Sequence, residues 1–441
     1  MKKTVSLLAF LFLCLTVSAN KQDDKFRLPE QLLQYVIEGK GEQAHLMLSD
    51  QVKSMVTVAQ MDGIWKGLTL KCGAFQSKSE WHEQSVADKT VSYCDIQFAR
   101  ITLRCNTAFD KDGLATIINF VPAPAPSKAP EAKADNAQMK ETDIKVVTGK
   151  FELPGILCMP QGKEAVAAVI LVQGSGPNDR DETIGPNKPF RDLAWGLAAQ
   201  GIASIRYDKR TKAYGAKIVA EGENPSMENE YVQDVLSAVQ LAKNTPGIDS
   251  KRVYIVGHSQ GAMLAPRFAQ RCKDIKGIVM MSANARPLED LVPAQMQYIF
   301  SLDSLSKEEE KQLAEITEQV ANVKKLGTKG FNPKITLPLG LPASYWKDIN
   351  DYHQLKVARL LTCPILILQG ERDYQVTMDD FSLWRKELSE KSNVTFKSYS
   401  KLNHLYMEGS GKSSPSEYYQ IGSIPEYVTK DIANWINKQS R

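Results

Sequence analysis

A marked excess of charge of either sign is missing from this 441-residue chain: 55 Lys and Arg face 51 Asp and Glu, a formal net charge of +4. Two of those positive charges, Lys2 and Lys3, fall in a segment argued below to be removed. A balance so near neutral supplies no broad electrostatic footprint for nucleic acid or for an acidic membrane surface. Cysteine is scarce as well, and seven in the whole chain make no disulfide scaffold. With no C-x-x-C pair and no His/Cys cluster at ligand spacing, nothing indicates a metal site, and no cofactor is expected. Cys72, Cys94 and Cys105 fall early and Cys158, Cys272 and Cys363 late. They read as small buried apolar side chains, with at most one bridge among the first three. No apolar run reaches the ~20 residues a membrane span requires. Collagen-like, disordered and polytopic membrane classes are excluded by composition, since 43% hydrophobic and 24% charged residues are ordinary for a globular protein.

What is present begins with an export signal. Lys2 and Lys3 precede a short apolar run from Leu7 to Val17, and Val17-Ser18-Ala19 offers the small residues of a cleavage site. This layout predicts a signal peptide over 1–19, cut after Ala19, and a periplasmic or secreted bacterial protein. Cys14 raises the lipoprotein alternative, but bulky Leu11-Phe12-Leu13 before it favours soluble export.

From Pro122 to Thr142 the chain becomes rich in Pro, Ala and charge, without aromatics or apolar periodicity, which predicts a solvated linker over 122–142. Before it, residues 20–121 open with helical spacings (Leu32, Leu33, Tyr35, Val36; Leu46, Leu48, Val52, Met55, Val56). They then turn to alternating strands such as Thr90–Phe98 and Ile101–Cys105. Helices followed by a meander indicate a small α+β domain. It resembles the small domain of unknown function that precedes bacterial exported hydrolases, itself similar to the nuclear-transport-factor-2-like fold. His45 and His82 lie in it without ligand partners and read as packing or surface residues.

Residues 143–441 alternate strands and helices. After an opening hairpin (Ile144–Val147, Gly155–Met159), Val166–Val172, Ala203–Tyr207, Val253–Val256, Ile278–Met281 and Ile365–Leu368 are near-continuous Val/Ile/Leu runs between amphipathic segments. Such runs indicate a mostly parallel sheet with helices on both faces. No buried strand appears over about 287–361, which reads as an inserted helical lid.

The chemistry gathers at strand ends. Arg252–Val256 runs into Gly257-His258-Ser259-Gln260-Gly261 and then a helix, the setting of a G-x-S-x-G nucleophile elbow. The serine must occupy a strained turn, and small residues two positions to either side let strand and helix approach. Its base must follow the acid in chain order. His404, in a loop after Val394–Tyr399, meets that order; His353 lies in the lid segment, and with His258 is read as structural. Pro364–Leu368 ends in Gln369-Gly370-Glu371-Arg372-Asp373, and a carboxylate just past a strand's C-terminal end sits where catalytic groups of open α/β sheets collect. Asp373 is preferred to Glu371, Asp379 and Asp380. The oxyanion donors are expected to be the N–H of Gln260 and, from the loop Gln173-Gly174-Ser175-Gly176-Pro177, that of Ser175, with Gly176 the alternative. The two loop glycines lack the third Gly of a dinucleotide fingerprint. Asp179-Arg180-Asp181 and Arg206–Arg210 read as ion-paired anchors of loops beside the site.

On Gln173–Gly176, Gly257–Gly261, Gly370–Asp373 and Asn403-His404, residues from about 142 to the end resemble an α/β-hydrolase of the bacterial serine carboxylesterase group. Gln173 departs from the His that commonly opens the oxyanion loop. The resemblance implies hydrolysis of a small-molecule ester through an acyl-enzyme on Ser259. A peptidase or acyltransferase on the same fold is the alternative, and a non-catalytic binding protein a remoter one.

Overall fold

The computed structural model describes residues 24–53, 56–86, 89–98, 101–123, 135–136, 138–162, 165–215, 226–302 and 305–439. The expected signal peptide, and residues 124–134 and 137 of the expected linker, lie outside the described residues. The chain divides into two units, residues 1–122 and 123–441.

In the first unit, the helix Arg27–Ile37 buries Leu32, Leu33 and Val36 on one stripe. The helix Val58–Cys72 starts at a capping box: Gln60 N–H donates to the Thr57 hydroxyl at 3.2 Å, and Thr57 N–H donates to Gln60 Oε1 at 2.8 Å. Five strands follow: β1 (Phe75–Lys78), β2 (His82–Val86), β3 (Lys89–Phe98), β4 (Thr102–Phe109) and β5 (Ala115–Pro122). They form an antiparallel sheet in the order β1-β3-β4-β5, with β2 also on β3. Cys94 lies opposite Cys105 across β3 and β4, and both are buried thiols outside any disulfide. His45 Nε2 is 2.9 Å from the Val56 carbonyl oxygen, and exposed His82 leans on Tyr93, so neither joins a constellation.

The second unit is built on a nine-stranded sheet. Its strands are β6 (Asp135–Asn136), β7 (Met139–Thr148), β8 (Phe151–Pro160), β9 (Val166–Val172), β10 (Ala203–Tyr207), β11 (Ile248–His258), β12 (Gly277–Met281), β13 (Ile365–Gly370) and β14 (Val394–Tyr399). The order is β14-β13-β12-β11-β9-β10-β8-β7-β6. From β10 across to β14 every pairing is parallel, while β8, β7 and β6 add an antiparallel edge. Every residue of β9 is buried, and its side chains alternate between two cores. Ala168, Ile170 and Val172 pack with Val235, Phe268, Trp346 and Trp384 on one face. Ala167, Val169 and Leu171 pack with Phe190, Leu197, Ile432 and Ile436 on the other. A sheet covered on both faces requires strands that are apolar at every position, which is why these runs do not alternate. This is an α/β-hydrolase fold preceded by a small α+β domain.

One boundary differs from expectation. Met139–Thr142 belong to β7, not to a solvated linker. Met139 is buried, Trp195 Nε1 donates to the Glu141 carboxylate at 2.8 Å, and buried Arg206 pairs with it at 2.9 Å. The inserted helices Leu288–Phe300, Lys307–Val323, Ala343–Asp351 and Gln354–Leu360 lie between β12 and β13. The later ones are sealed to the body: Tyr345, Trp346, Ile349 and Tyr352 enter the sheet's own core, and Tyr352 donates to the Met263 carbonyl at 3.0 Å. A free-standing flap could not bury those aromatics.

Candidate active site

β11 ends at His258 and the helix Gln260–Arg271 starts two residues later, leaving Ser259 to make the turn alone. Its backbone sits at φ 52°, ψ −118°. A non-glycine residue there costs about 1–3 kcal/mol and persists only where its surroundings over-determine it. They do so through glycine. A Cβ on Gly257 would lie 2.3 Å from the Gly261 carbonyl oxygen, and one on Gly261 would lie 2.4 Å from that of Val172. Ser259 N–H donates to Met281 O at 2.9 Å, and Ser259 O accepts from Met263 N–H at 2.9 Å. The serine remains partly exposed at the head of the sheet.

Asp373 follows β13 and is buried. Its Oδ1 accepts from the N–H groups of Gln375 and Val376, both at 2.9 Å. Its Oδ2 accepts from Gln369 Nε2 at 3.3 Å and lies 2.7 Å from His404 Nδ1. With the carboxylate as acceptor, Nδ1 carries the proton and Nε2 is left with a free lone pair. The His404 loop is tied down by Asn403, whose Oδ1 accepts from the N–H groups of Leu405 (3.0 Å) and Met407 (3.1 Å). The other carboxylates weighed go elsewhere. Exposed Glu371 accepts from the Ser398 hydroxyl, Asp380 pairs with Arg286, and Asp379 sits at the start of the helix Met378–Leu388. His353 is exposed before Gln354–Leu360, apart from these groups.

His258 bridges the elbow to the His404 loop. Its Nε2 is 2.8 Å from the His404 carbonyl oxygen, its Nδ1 is 3.0 Å from Glu182 Oε2, and its ring centroid is 4.7 Å from that of His404. Nε2 is hydrogen-bonded to a carbonyl, which only accepts, while Nδ1 stands beside the Glu182 carboxylate without an aligned hydrogen bond, and that negative charge favours the imidazolium. Burial pushes the His258 pKa down, but the Glu182 charge and hydrogen bonds outweigh it, and the net shift is upward. Glu182 itself, at φ 51°, also accepts from Gly174 N–H at 2.6 Å.

The loop Gln173–Pro177 lies against Ser259: a Cβ on Gly174 would be 3.0 Å from Ser259 Cβ. Ser175 and Gly176 are exposed there, while Gln260 opens the helix, where the first N–H groups have no intrahelical acceptor. The flanking charges are ion-paired: Arg180 with Asp208 (2.9 Å), Arg206 with Asp181 (2.8 Å) and Arg210 with Asp234 (2.6 Å). Sequence reasoning missed Glu182 and Tyr231, and read Lys209 only as a loop charge. The Tyr231 hydroxyl, a single donor, lies 2.7 Å from both Gly174 O and Gln260 Oε1, and buried Lys209 also reaches Gly174 O. The signal available for Lys209 was its place just past a buried strand's C-terminal end. Among the described residues, no group of three or more His, Cys, Asp or Glu could hold a metal ion, and no helix is long and apolar enough to cross a membrane.

Residues 187–409 match the family described as "Serine aminopeptidase, S33", and residues 30–120 match one described as "Protein of unknown function (DUF3887)". Esterase EstD of Thermotoga maritima is 36% identical over 407 residues, covering 92% of this chain and 94% of that protein. Among solved structures, Est1E of Butyrivibrio proteoclasticus aligns over 67% of this chain and 98% of its own at 16% identity and TM-score 0.45. The Pyrococcus furiosus esterase PF2001 aligns over 72% and 97% at 16% identity and TM-score 0.46.

Proposed function

The chain belongs to the serine aminopeptidase S33 family of α/β-hydrolases and is a carboxylesterase-like hydrolase, and from that premise we propose that it cleaves small-molecule carboxylic esters through an acyl-enzyme on Ser259. One observation carries the reading: His404 Nδ1 stands 2.7 Å from buried Asp373 Oδ2, on a loop whose carbonyl is bonded to the residue before Ser259.

In this reading Ser259 Oγ attacks the ester carbonyl as neutral His404 Nε2 takes its proton. Asp373 holds the imidazole in the required tautomer and stabilises the imidazolium that forms. The N–H groups of Gln260 and Ser175 receive the developing oxyanion; one such donor is worth about 10²–10³ in rate. His404 returns the proton to the departing alcohol, and water, activated by the same base, releases the acid. No metal or cofactor enters. Ser259→Ala should lower the turnover of a short-chain aryl ester by about 10⁶ while leaving the fold intact. A variant keeping a tenth of the activity would remove Ser259 from the mechanism.

The family description favours a second reading, aminopeptidase activity. A panel of esters against aminoacyl amides of matched leaving group separates the two, and the ester reading expects the esters to be turned over far faster. We further propose export, from Lys2, Lys3 and the Leu7–Val17 run. N-terminal sequencing of the mature protein should begin at Asn20, and a cytoplasmic protein beginning at Met1 would refute it.

A further inference from the structure

A lysine ammonium seldom stands fully buried, and Lys209, just past β10, is 1% exposed. Its Nζ donates to Gly174 O at 3.0 Å and Gly176 O at 2.8 Å, pairs with Glu230 Oε1 at 2.8 Å, and contacts the Tyr231 hydroxyl. Burial pulls the Lys209 pKa down, opposed by the charge on Glu230. Glu230 and Tyr231 arrive together on a π-helical turn, Glu228–Val232, a rare element that recurs at functional sites. The Tyr231 hydroxyl lies 2.7 Å from both Gly174 O and Gln260 Oε1.

Gly174 O therefore faces two full donors, Lys209 Nζ and Asn178 Nδ2 at 3.1 Å, and shares the single proton of the Tyr231 hydroxyl with Gln260 Oε1. That carbonyl belongs to the same planar unit as the N–H of Ser175. Among the described residues no peptide is cis, so in this unit C=O and N–H point in opposite directions. Fixing the oxygen on the Lys209 side aims the Ser175 N–H away from it. The Lys209 cation and the Asn178 amide on the oxygen, with the shared Tyr231 proton, also polarise the unit and strengthen the N–H as a donor. The same tyrosine hydroxyl holds the side chain of Gln260, the residue that carries the other expected donor.

We propose that Lys209 and Tyr231 are positioning residues for the oxyanion hole: together they set the direction and polarity of the Gly174–Ser175 peptide and tie it to Gln260. The proposal rests on the reading of Ser259, Ser175 and Gln260 given above. Neither side chain touches substrate; both act on the transition state through a peptide that does.

The test is Tyr231→Phe, which removes one oxygen and keeps the ring, beside Lys209→Met paired with Glu230→Gln so that no buried charge is stranded. Both are made in the full chain and assayed on one short-chain aryl ester. A misdirected oxyanion donor lowers kcat and leaves ground-state binding alone. Tyr231→Phe should lose about tenfold or more in kcat, within the range for loss of one oxyanion donor, with KM unchanged within about threefold. Affinity for a trifluoromethyl ketone, which forms a tetrahedral adduct at the serine, should fall by the same factor as kcat/KM, while affinity for a non-reactive ketone of the same shape stays constant. A kcat within twofold of the parent in either folded variant, or equal losses in tetrahedral and non-reactive binding, overturns the proposal. Failure of the underlying reading looks different: the parent protein itself would then form no ketone adduct at Ser259.

Discussion

Asp373→Asn separates orientation from charge at the base, and the surrounding bonds dictate how the new amide must lie. Oδ1 of Asp373 accepts two backbone N–H groups, from Gln375 and Val376. An amide nitrogen cannot accept, so Asn must keep its oxygen on that side. Its NH₂ then takes the place of Oδ2, 2.7 Å from His404 Nδ1. Facing a donor, Nδ1 gives up its proton and becomes the acceptor, which places the proton on Nε2. A protonated Nε2 cannot take the proton of Ser259. This wrong-tautomer substitution costs about 10⁴ in kcat in a comparable triad, or about 5.4 kcal/mol at 1.36 kcal/mol per decade. Stability should fall less, by about 1–3 kcal/mol, because one charge-assisted bond is exchanged and Gln369 Nε2 now meets another donor. The assay is steady-state turnover of a short-chain aryl ester with thermal unfolding in parallel, and Glu371→Gln as control. Glu371 is exposed and bonded to Ser398, so its variant should act like the parent. Asp373→Asn retaining a tenth of the activity, or Glu371→Gln proving equally harmful, would refute the assignment of the acid.

Gly261→Ala puts a Cβ 2.4 Å from the Val172 carbonyl oxygen, so the helix must shift and carry Gln260 with it. Thermal melts should register about 1–3 kcal/mol of strain, and turnover should fall at least about 100-fold, since one displaced oxyanion donor alone costs that much; full activity would show that the elbow tolerates a side chain. The pKa of His258 is raised in the fold. Its pairing with Glu182 therefore stabilises fully below the ordinary value of about 6.5 and is lost as pH climbs through the raised one. The melting-temperature gap between the parent and His258→Asn should shrink from acid to alkaline pH; a gap that widens would contradict the imidazolium. A chain starting at Asp135 should fold and hydrolyse small esters. One starting at Asp143 should be roughly 3 kcal/mol less stable, because Arg206 loses Glu141, one of its two acidic partners. Equal unfolding midpoints would show that Glu141 is dispensable.

Much of the fold could be read in advance because its signals are local. Val166–Val172 is apolar at every position, and only a strand covered on both faces accepts that pattern. The elbow could be read from Gly257 and Gly261, where steric need and sequence motif coincide, and Asp373 from its place just past β13. The strand residues Met139–Thr142 were hidden for the opposite reason. Their polar composition is that of a linker, and their anchors, Trp195 and Arg206, lie 54 and 65 positions away. The supports of the loop Gln173–Pro177 were hidden in the same way. Tyr231 meets Gly174 across 57 residues and Gln260 across 29, and no periodicity encodes such a meeting. His258 was read as structural from its neighbours alone, and the fold makes it the bridge between Glu182 and the His404 loop.

A covalent acyl-enzyme on Ser259 is tested most directly by mass spectrometry of the full-length protein treated with a fluorophosphonate. One equivalent of label is expected, carried by the peptide containing Ser259, with esterase activity lost in step with labelling and no label on Ser259→Ala. Ester hydrolysis that survives complete labelling, or label on any other residue in proportion to lost activity, would contradict it.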